Sequence, residues 1–159
     1  MLRFLGTIEA KTDDKGRVFI PSAFRRRLQE AGEAEIVLRK DIHQECIVLY
    51  PESVWFKTQD TLRARLNIWD AGDQSLFRRF VSGAEIAEPD SNGRILLSKR
   101  LIQLAEIKDT VVFVGMGEEI EIWAKDKWEQ QQAKAIDLSA DLERKMAGCP
   151  GNAADTFML

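Results

Sequence analysis

The chain carries one short pattern twice. Residues 12–21 read TDDKGRVFIP and residues 89–98 read PDSNGRILLS, so Asp13, Gly16 and Arg17 recur as Asp90, Gly93 and Arg94, each set followed by an apolar strand. Val18 and Ile20 correspond to Ile95 and Leu97. The match continues: EIVLRK (35–40) answers TVVFVG (110–115), and CIVLYPESVW (46–55) answers EIEIWAKDKW (119–128), which sets Tyr50 against Trp123 and Trp55 against Trp128. Matches in one unbroken order mark two copies of a single folding unit, and a repeat alters every later inference about the fold. In a chain of 159 residues, each copy has under about 60 residues and is marginal alone. The copies must therefore share a core with each other or with another chain.

Each copy predicts the same elements. A short strand (TIEAKT, AEIAEP) enters the turn, whose glycine supplies the positive φ of a tight reversal. RVFI and RILL form the strand out, followed by a short helix: SAFRRRLQEA with Ser22 at its N-cap and Gly32 beyond its end, and SKRLIQLA with Ser98 at the cap. A hairpin closes each copy, EIVLRK with CIVLY and TVVFVG with EIEIW, the second joined at MGEE. Helical spacing of Trp55, Leu62, Leu66 and Trp69, then of Leu76, Phe77, Phe80 and Val81, places helices between the copies. A second helical stretch follows copy two, with Trp128, Ala135, Leu138, Leu142 and Met146 spaced along it to Gly148, and the tail CPGNAADTFML is expected to fray. The fold class is α+β, organised as a first module at 5–53, a helical connector at 54–82, a second module at 83–126 and a C-terminal helix and tail at 127–159.

Composition excludes several classes. With 45% apolar and 31% charged residues the chain is an ordinary globular one. Its longest apolar run, around TVVFVGM, falls far short of the roughly 20 residues of a membrane span, and MLRFLG is too short for a signal peptide. A soluble intracellular protein is expected. Cys46 and Cys149 have no second cysteine at metal-like spacing, so two reduced thiols are expected rather than a disulfide. The single histidine, His43, is read as a solvated loop residue. Net charge is −3, yet residues 1–29 hold seven basic side chains against three acids, a basic face on an acidic protein. No nucleophile–base pair, glycine-rich phosphate loop or metal-ligand cluster stands out, so neither an enzyme nor a cofactor or metal is expected. Glu118, Glu119 and Glu121 read as the solvated edge of an alternating strand. Trp55, Trp69, Phe77 and Phe80 read as core or subunit interface rather than a cofactor pocket.

The stretch DDKGRVFIPSAFRRRL resembles the AbrB-like DNA-binding modules. Two such modules in one chain, with YPESVW closing the first and GRILL then EIEIW in the second, resemble the MraZ family of bacterial regulators of the division and cell-wall gene cluster, over about residues 1–130. That resemblance implies a swapped-hairpin β-barrel in which the modules complete each other. It also implies a cytoplasmic, nucleoid-associated repressor that assembles as a ring-shaped homo-oligomer on direct repeats of double-stranded promoter DNA upstream of its own operon. No membrane and no small-molecule substrate are implied as partners.

The residue chemistry suits that expectation. An arginine fixed at a turn can pair bidentately with guanine or lie along a phosphate, the roles expected of Arg17 and Arg94. Equally, Asp and Arg four apart around a glycine can simply pair with each other, for about 0–1 kcal/mol on a surface. Lys15 at the tip and Lys11 on the entering strand are candidate phosphate contacts. Asp13 and Asp90 are expected to accept turn N–H groups or to hold the arginine, and with Gly16 and Gly93 they structure the turn. Arg25, Arg26 and Arg27 follow one another at about 100° and cannot all face one groove; they form a solvated helix face or supply phosphate ligands, with Arg25 and Arg26 matching basic positions of AbrB-like modules. Copy two departs from the pattern, with Lys99 and Arg100 earlier in its helix, Ile102 where Arg25 aligns and Glu88 beside its turn. A different reading makes the chain an AbrB-fold protein-interaction or antitoxin-like module that acts through residues 130–159.

Overall fold

Period-two alternation and turn glycines become strands where the repeat predicts them. A computed structural model describes residues 2–134 and 137–148. The first copy comprises β1 (Thr7–Lys11), β2 (Arg17–Phe19), α1 (Ser22–Glu30), β3 (Ile36–Lys40) and β4 (Ile47–Pro51). Helices α2 (Glu52–Ala64) and α3 (Ala71–Ser82) follow. The second copy repeats the order with β5 (Glu85–Ala87), β6 (Arg94–Leu96), α4 (Lys99–Leu104), β7 (Thr110–Met116) and β8 (Glu119–Ala124), before α5 (Lys125–Ala133) and α6 (Leu138–Ala147). The chain divides into two compact units within α5, the first ending at Trp128 and the second beginning at Glu129.

Strands are exchanged between the copies. The six-stranded antiparallel sheet has the order β1-β7-β8-β4-β3-β5. The entering strand of copy one therefore lies on the hairpin of copy two, with Ile8 opposite Phe113, and β5 of copy two lies on β3 of copy one. The hairpins meet where β4 pairs with β8. The exit strands β2 and β6 leave this sheet and pair with each other as a separate two-stranded ribbon. The ladder is open, with β1 and β5 as its edges, so the fold is α+β with a mostly antiparallel sheet and no hydrogen-bonded closure among the described residues.

This exchange answers the size problem. One buried cluster draws Val18, Phe24, Leu28, Ile36 and Leu49 from copy one and Ile95, Leu101, Ala105, Phe113 and Ile122 from copy two. Phe24 and Leu28 on α1 stand four apart, as do Leu101 on α4 and Ala105 at its C-cap, so each short helix sends one stripe into the same core. Full burial of each large aliphatic or aromatic side chain there contributes about 1.5–3 kcal/mol, a sum neither copy reaches alone. The sheet's other face buries Cys46, Val112, Val114 and Trp123 under Trp128. The predicted aromatic equivalence holds: Tyr50 meets Trp55 at 5.2 Å and Trp123 meets Trp128 at 5.6 Å between ring centroids.

Several local expectations need correction. Pro21, not Ser22, occupies the N-cap of α1, with φ −50°, and no side-chain cap bond forms because its ring carries no acceptor. Ser98 does cap α4, accepting from the Leu101 N–H at 3.2 Å. The end of α1 is a Schellman motif, with Gly32 at φ +72° and the Glu33 N–H bonded to the Leu28 carbonyl at 2.9 Å. Helix α2 stops at Ala64 rather than reaching Trp69, which is 87% exposed and outside the chain's own core, while Trp55 is buried and stacks on Phe80. The C-terminal helical stretch is two helices, the second capped by Asp137 accepting from the Ala140 N–H. Leu138 and Leu142 of α6 are exposed; Ala135, Cys149 and the tail beyond it lie outside the described residues. Finally, β8 is an interior strand between β7 and β4, so Glu119 and Glu121 are half-buried rather than on a solvated edge, and burial raises the pKa of both. Glu118 sits at the β7–β8 turn and pairs with Lys57.

Candidate nucleic-acid interface

The Asp-x-x-Gly-Arg turns are built by one carboxylate each. In copy one the Gly16 N–H donates to the Asp13 carbonyl at 3.0 Å, and the Asp13 N–H donates to the Arg17 carbonyl at 2.9 Å. Asp13 Oδ1 accepts the Lys15 and Arg17 amides at 2.9 Å each, and its Oδ2 accepts Arg17 Nε at 2.7 Å. Copy two reproduces the set around Asp90, which takes the amides of Asn92 and Arg94 at 2.9 Å and Arg94 Nε at 2.9 Å. The backbone donation from Arg17, then the other donors and the guanidinium, holds the Asp13 carboxyl below the usual range, and the Arg94 amide leads the same effect at Asp90. With the folded value lowered, the contribution of each charged turn is present above the ordinary carboxylate pKa and lost as pH falls through the folded one.

Both expected roles of the aspartate are therefore realised together. Each Asp–Arg pair uses Nε, so the Nη1/Nη2 edge of the guanidinium is not consumed by it. Anchored at Nε and by the backbone, the arginine loses little further freedom on binding a planar acceptor pair.

The ribbon sets the two turns relative to each other. In its register Arg17 lies opposite Leu96, Val18 opposite Ile95 and Phe19 opposite Arg94. Because side chains alternate across a strand, Val18 and Ile95 share the face turned into the core, each 1% exposed. Arg17, Phe19, Arg94 and Leu96 share the outward face. The two arginines lie diagonally across the ribbon, roughly 7–8 Å apart at the backbone, and the Arg94 guanidinium stands 5.8 Å from the Phe19 ring centroid. Cross-links tie each turn to the other copy: the Leu97 N–H donates to the Gly16 carbonyl at 2.9 Å, and the Ile20 N–H to the Gly93 carbonyl at 3.0 Å.

The remaining predicted residues separate. Lys15 is exposed at the tip of the first turn and Lys11 is exposed at the end of β1. Arg26 is exposed on α1, whereas Arg25 is half-buried against Gly93, where the Cβ of any larger residue would stand 2.5 Å from its Nη1. Ile102, its counterpart in copy two, covers Gly16 in the same way. Arg25 thus covers the turn of the other copy, a packing role that its place in a basic run conceals. Copy two carries less free charge, since Arg100 bonds Glu85 at 2.5 Å and the Gly83 carbonyl at 3.0 Å. Phe19 and Leu96 join the outward face although the sequence marks them only as strand residues. The signal lies in the alternation of RVFI and RILL, once Val18 and Ile95 are known to face inward.

Comparison with known proteins finds relatives over nearly the whole chain. The family model described as MraZ protein, antitoxin-like, matches residues 3–77 and again 80–148, one match per copy. The transcriptional regulator MraZ of Bacteroides thetaiotaomicron is 49% identical over 146 residues, covering 92% of this chain and 94% of the relative. The protein of the same name from Bacteroides fragilis is 51% identical over 146 residues, with 92% of both chains covered. That from Dechloromonas aromatica is 38% identical over 140 residues, covering 87% of this chain and 93% of its own. With its paired turns, its shared core and full-length relatives at this identity, the chain belongs to the MraZ family.

Proposed function

We propose that this chain is a sequence-specific DNA-binding transcription regulator, a repressor that occupies direct repeats in the promoter of its own division and cell-wall operon as a ring-shaped homo-oligomer. The observation that carries this reading is the β2–β6 ribbon, which gathers both Asp-anchored arginines on one outward face. Arg17 and Arg94 take guanine edges or phosphates. Lys15, Lys11 and Arg26 take phosphates and carry no sequence information. Arg25 contributes to the same interface by fixing the second turn. The exchange of β1 and β5 supports treating modules 5–53 and 83–126 as the halves of one swapped-hairpin barrel, joined by the 54–82 connector and followed by 127–159. One ribbon makes few contacts, so several identical ribbons on repeated sites would gain about 10²- to 10⁴-fold through effective concentration. A regulator of that promoter would act in the cytoplasm, on the nucleoid.

Fluorescence anisotropy with a duplex from upstream of the gene and a scrambled duplex, over a salt series, tests this. Tight and selective wild-type binding with a steep salt slope, lost in Arg17→Ala while the oligomer persists, is the expected result. Equal weak binding of both proteins to both duplexes would overturn it. The antitoxin-like description of the family model and the exposed Leu138 and Leu142 of α6 favour one second reading, capture of a protein partner by the C-terminal helix. Deleting residues 130–159 would then abolish regulation with DNA binding intact.

A further inference from the structure

We propose, resting on the DNA-binding reading above, that Phe19 and Leu96 read the 5-methyl group of thymine next to the guanine taken by each arginine. The two side chains are 53% and 57% exposed, and each lies directly across the ribbon from an arginine, Leu96 from Arg17 and Phe19 from Arg94. The outward face therefore holds two cation–hydrophobe pairs related by the ribbon's own pseudo-twofold. Directly opposed side chains have Cβ atoms about 4.5–5.5 Å apart, and base pairs rise by about 3.4 Å, so one pair spans neighbouring or next-neighbour base pairs. A two-stranded ribbon fits the roughly 12 Å major groove, where guanine offers O6 and N7 to arginine and thymine alone offers a methyl group.

Charge decides the occupant. The apolar pair is interleaved with Arg17 and Arg94, and Lys15 is exposed at the tip of the turn that leads into Arg17, a setting that suits a polyanion with apolar groups on its floor. Phosphate contact explains the cations but gives Phe19 and Leu96 nothing to bind. Thymine methyls supply the missing partner, and the Phe19 ring already stands beside the Arg94 guanidinium, so thymine and guanine recognition are held in one rigid unit.

The test acts first on the DNA, which leaves the wild-type protein unaltered, and then on the two apolar side chains. Anisotropy titrations compare the upstream duplex with the same duplex carrying uracil for every thymine, which removes the methyl groups and keeps every hydrogen-bonding edge. Wild type is expected to bind the uracil duplex more weakly, by about fourfold for each methyl group contacted. The Phe19→Ala/Leu96→Ala variant is expected to bind both duplexes alike, with the wild-type salt slope. Equal wild-type affinity for the two duplexes, with binding still lost in Arg17→Ala, would overturn the methyl reading and leave DNA recognition standing. Absence of selective wild-type binding would overturn both. Dissociation of the oligomer by the double variant, seen in light scattering, would instead identify this face as an interface between copies and end the proposal.

Discussion

Alanine at Gly16 and at Gly93 separates two costs that the repeat makes look equal. Both glycines have positive φ, +86° and +82°, so alanine meets at each a left-handed strain of about 1–2 kcal/mol. Their surroundings differ. A Cβ on Gly16 would lie 2.7 Å from the Leu97 carbonyl oxygen and 3.0 Å from Ile102 Cδ1. The Leu97 oxygen is backbone, and the Leu97 amide is itself bonded to Gly16, so relief requires the ribbon to shift. Overpacking of that kind adds about 1–3 kcal/mol, for a total near 3 kcal/mol. A Cβ on Gly93 meets the outer part of Arg25, 2.5 Å from Nη1 and 2.8 Å from Cδ, which can swing into solvent. That variant should cost only about 1–2 kcal/mol, close to the strain alone. Urea unfolding followed by tryptophan fluorescence, at one fixed protein concentration because any self-association would shift apparent stability, measures both. Adding Arg25→Ala should recover part of the loss in Gly93→Ala and none in Gly16→Ala. Equal costs for the two alanines, or a smaller one at Gly16, would refute the argument that rigid backbone and flexible side chain respond differently.

Glu121 provides a pH test. Burial raises its pKa, while the Trp123 Nε1–H bond to Oε1 at 2.9 Å opposes the rise. A raised carboxylate penalises the fold above its folded pKa, and the penalty disappears as pH falls through that value to the unfolded one. Glu121→Gln keeps the acceptor and loses the charge, so it should raise the melting temperature at neutral pH and leave it unchanged at about pH 4; an equal shift at both would refute the electrostatic cause. Cys46 is 0% exposed, and burial pushes its thiol well above the ordinary range. In a Cys149→Ser background, a thiol reagent should therefore label it only as fast as the protein unfolds, and rapid labelling of the native protein would contradict that burial.

Much of this protein is legible before folding because its information is local. The Asp-x-x-Gly-Arg spacing dictates a turn in which one carboxylate reaches two amides and a guanidinium, and the 3.6- and 2-residue periodicities dictate the helices and strands. The doubled pattern dictates two equivalent halves too small to stand alone. Which strands pair is decided at long range, where a contact depends on the whole core closing and no short window records it. The transfer of β1 to the β7–β8 hairpin, the interior place of β8 that half-buries Glu119 and Glu121, and the meeting of β2 with β6 all belong to that level. So does the separate fate of neighbouring arginines: Arg25 and Arg26 are alike in sequence, but only the first points at a glycine from the other copy. The sequence by itself determined two arginine-bearing turns; tertiary structure decided that they form one surface, because burying Val18 and Ile95 in a common core forces Arg17, Phe19, Arg94 and Leu96 outward together.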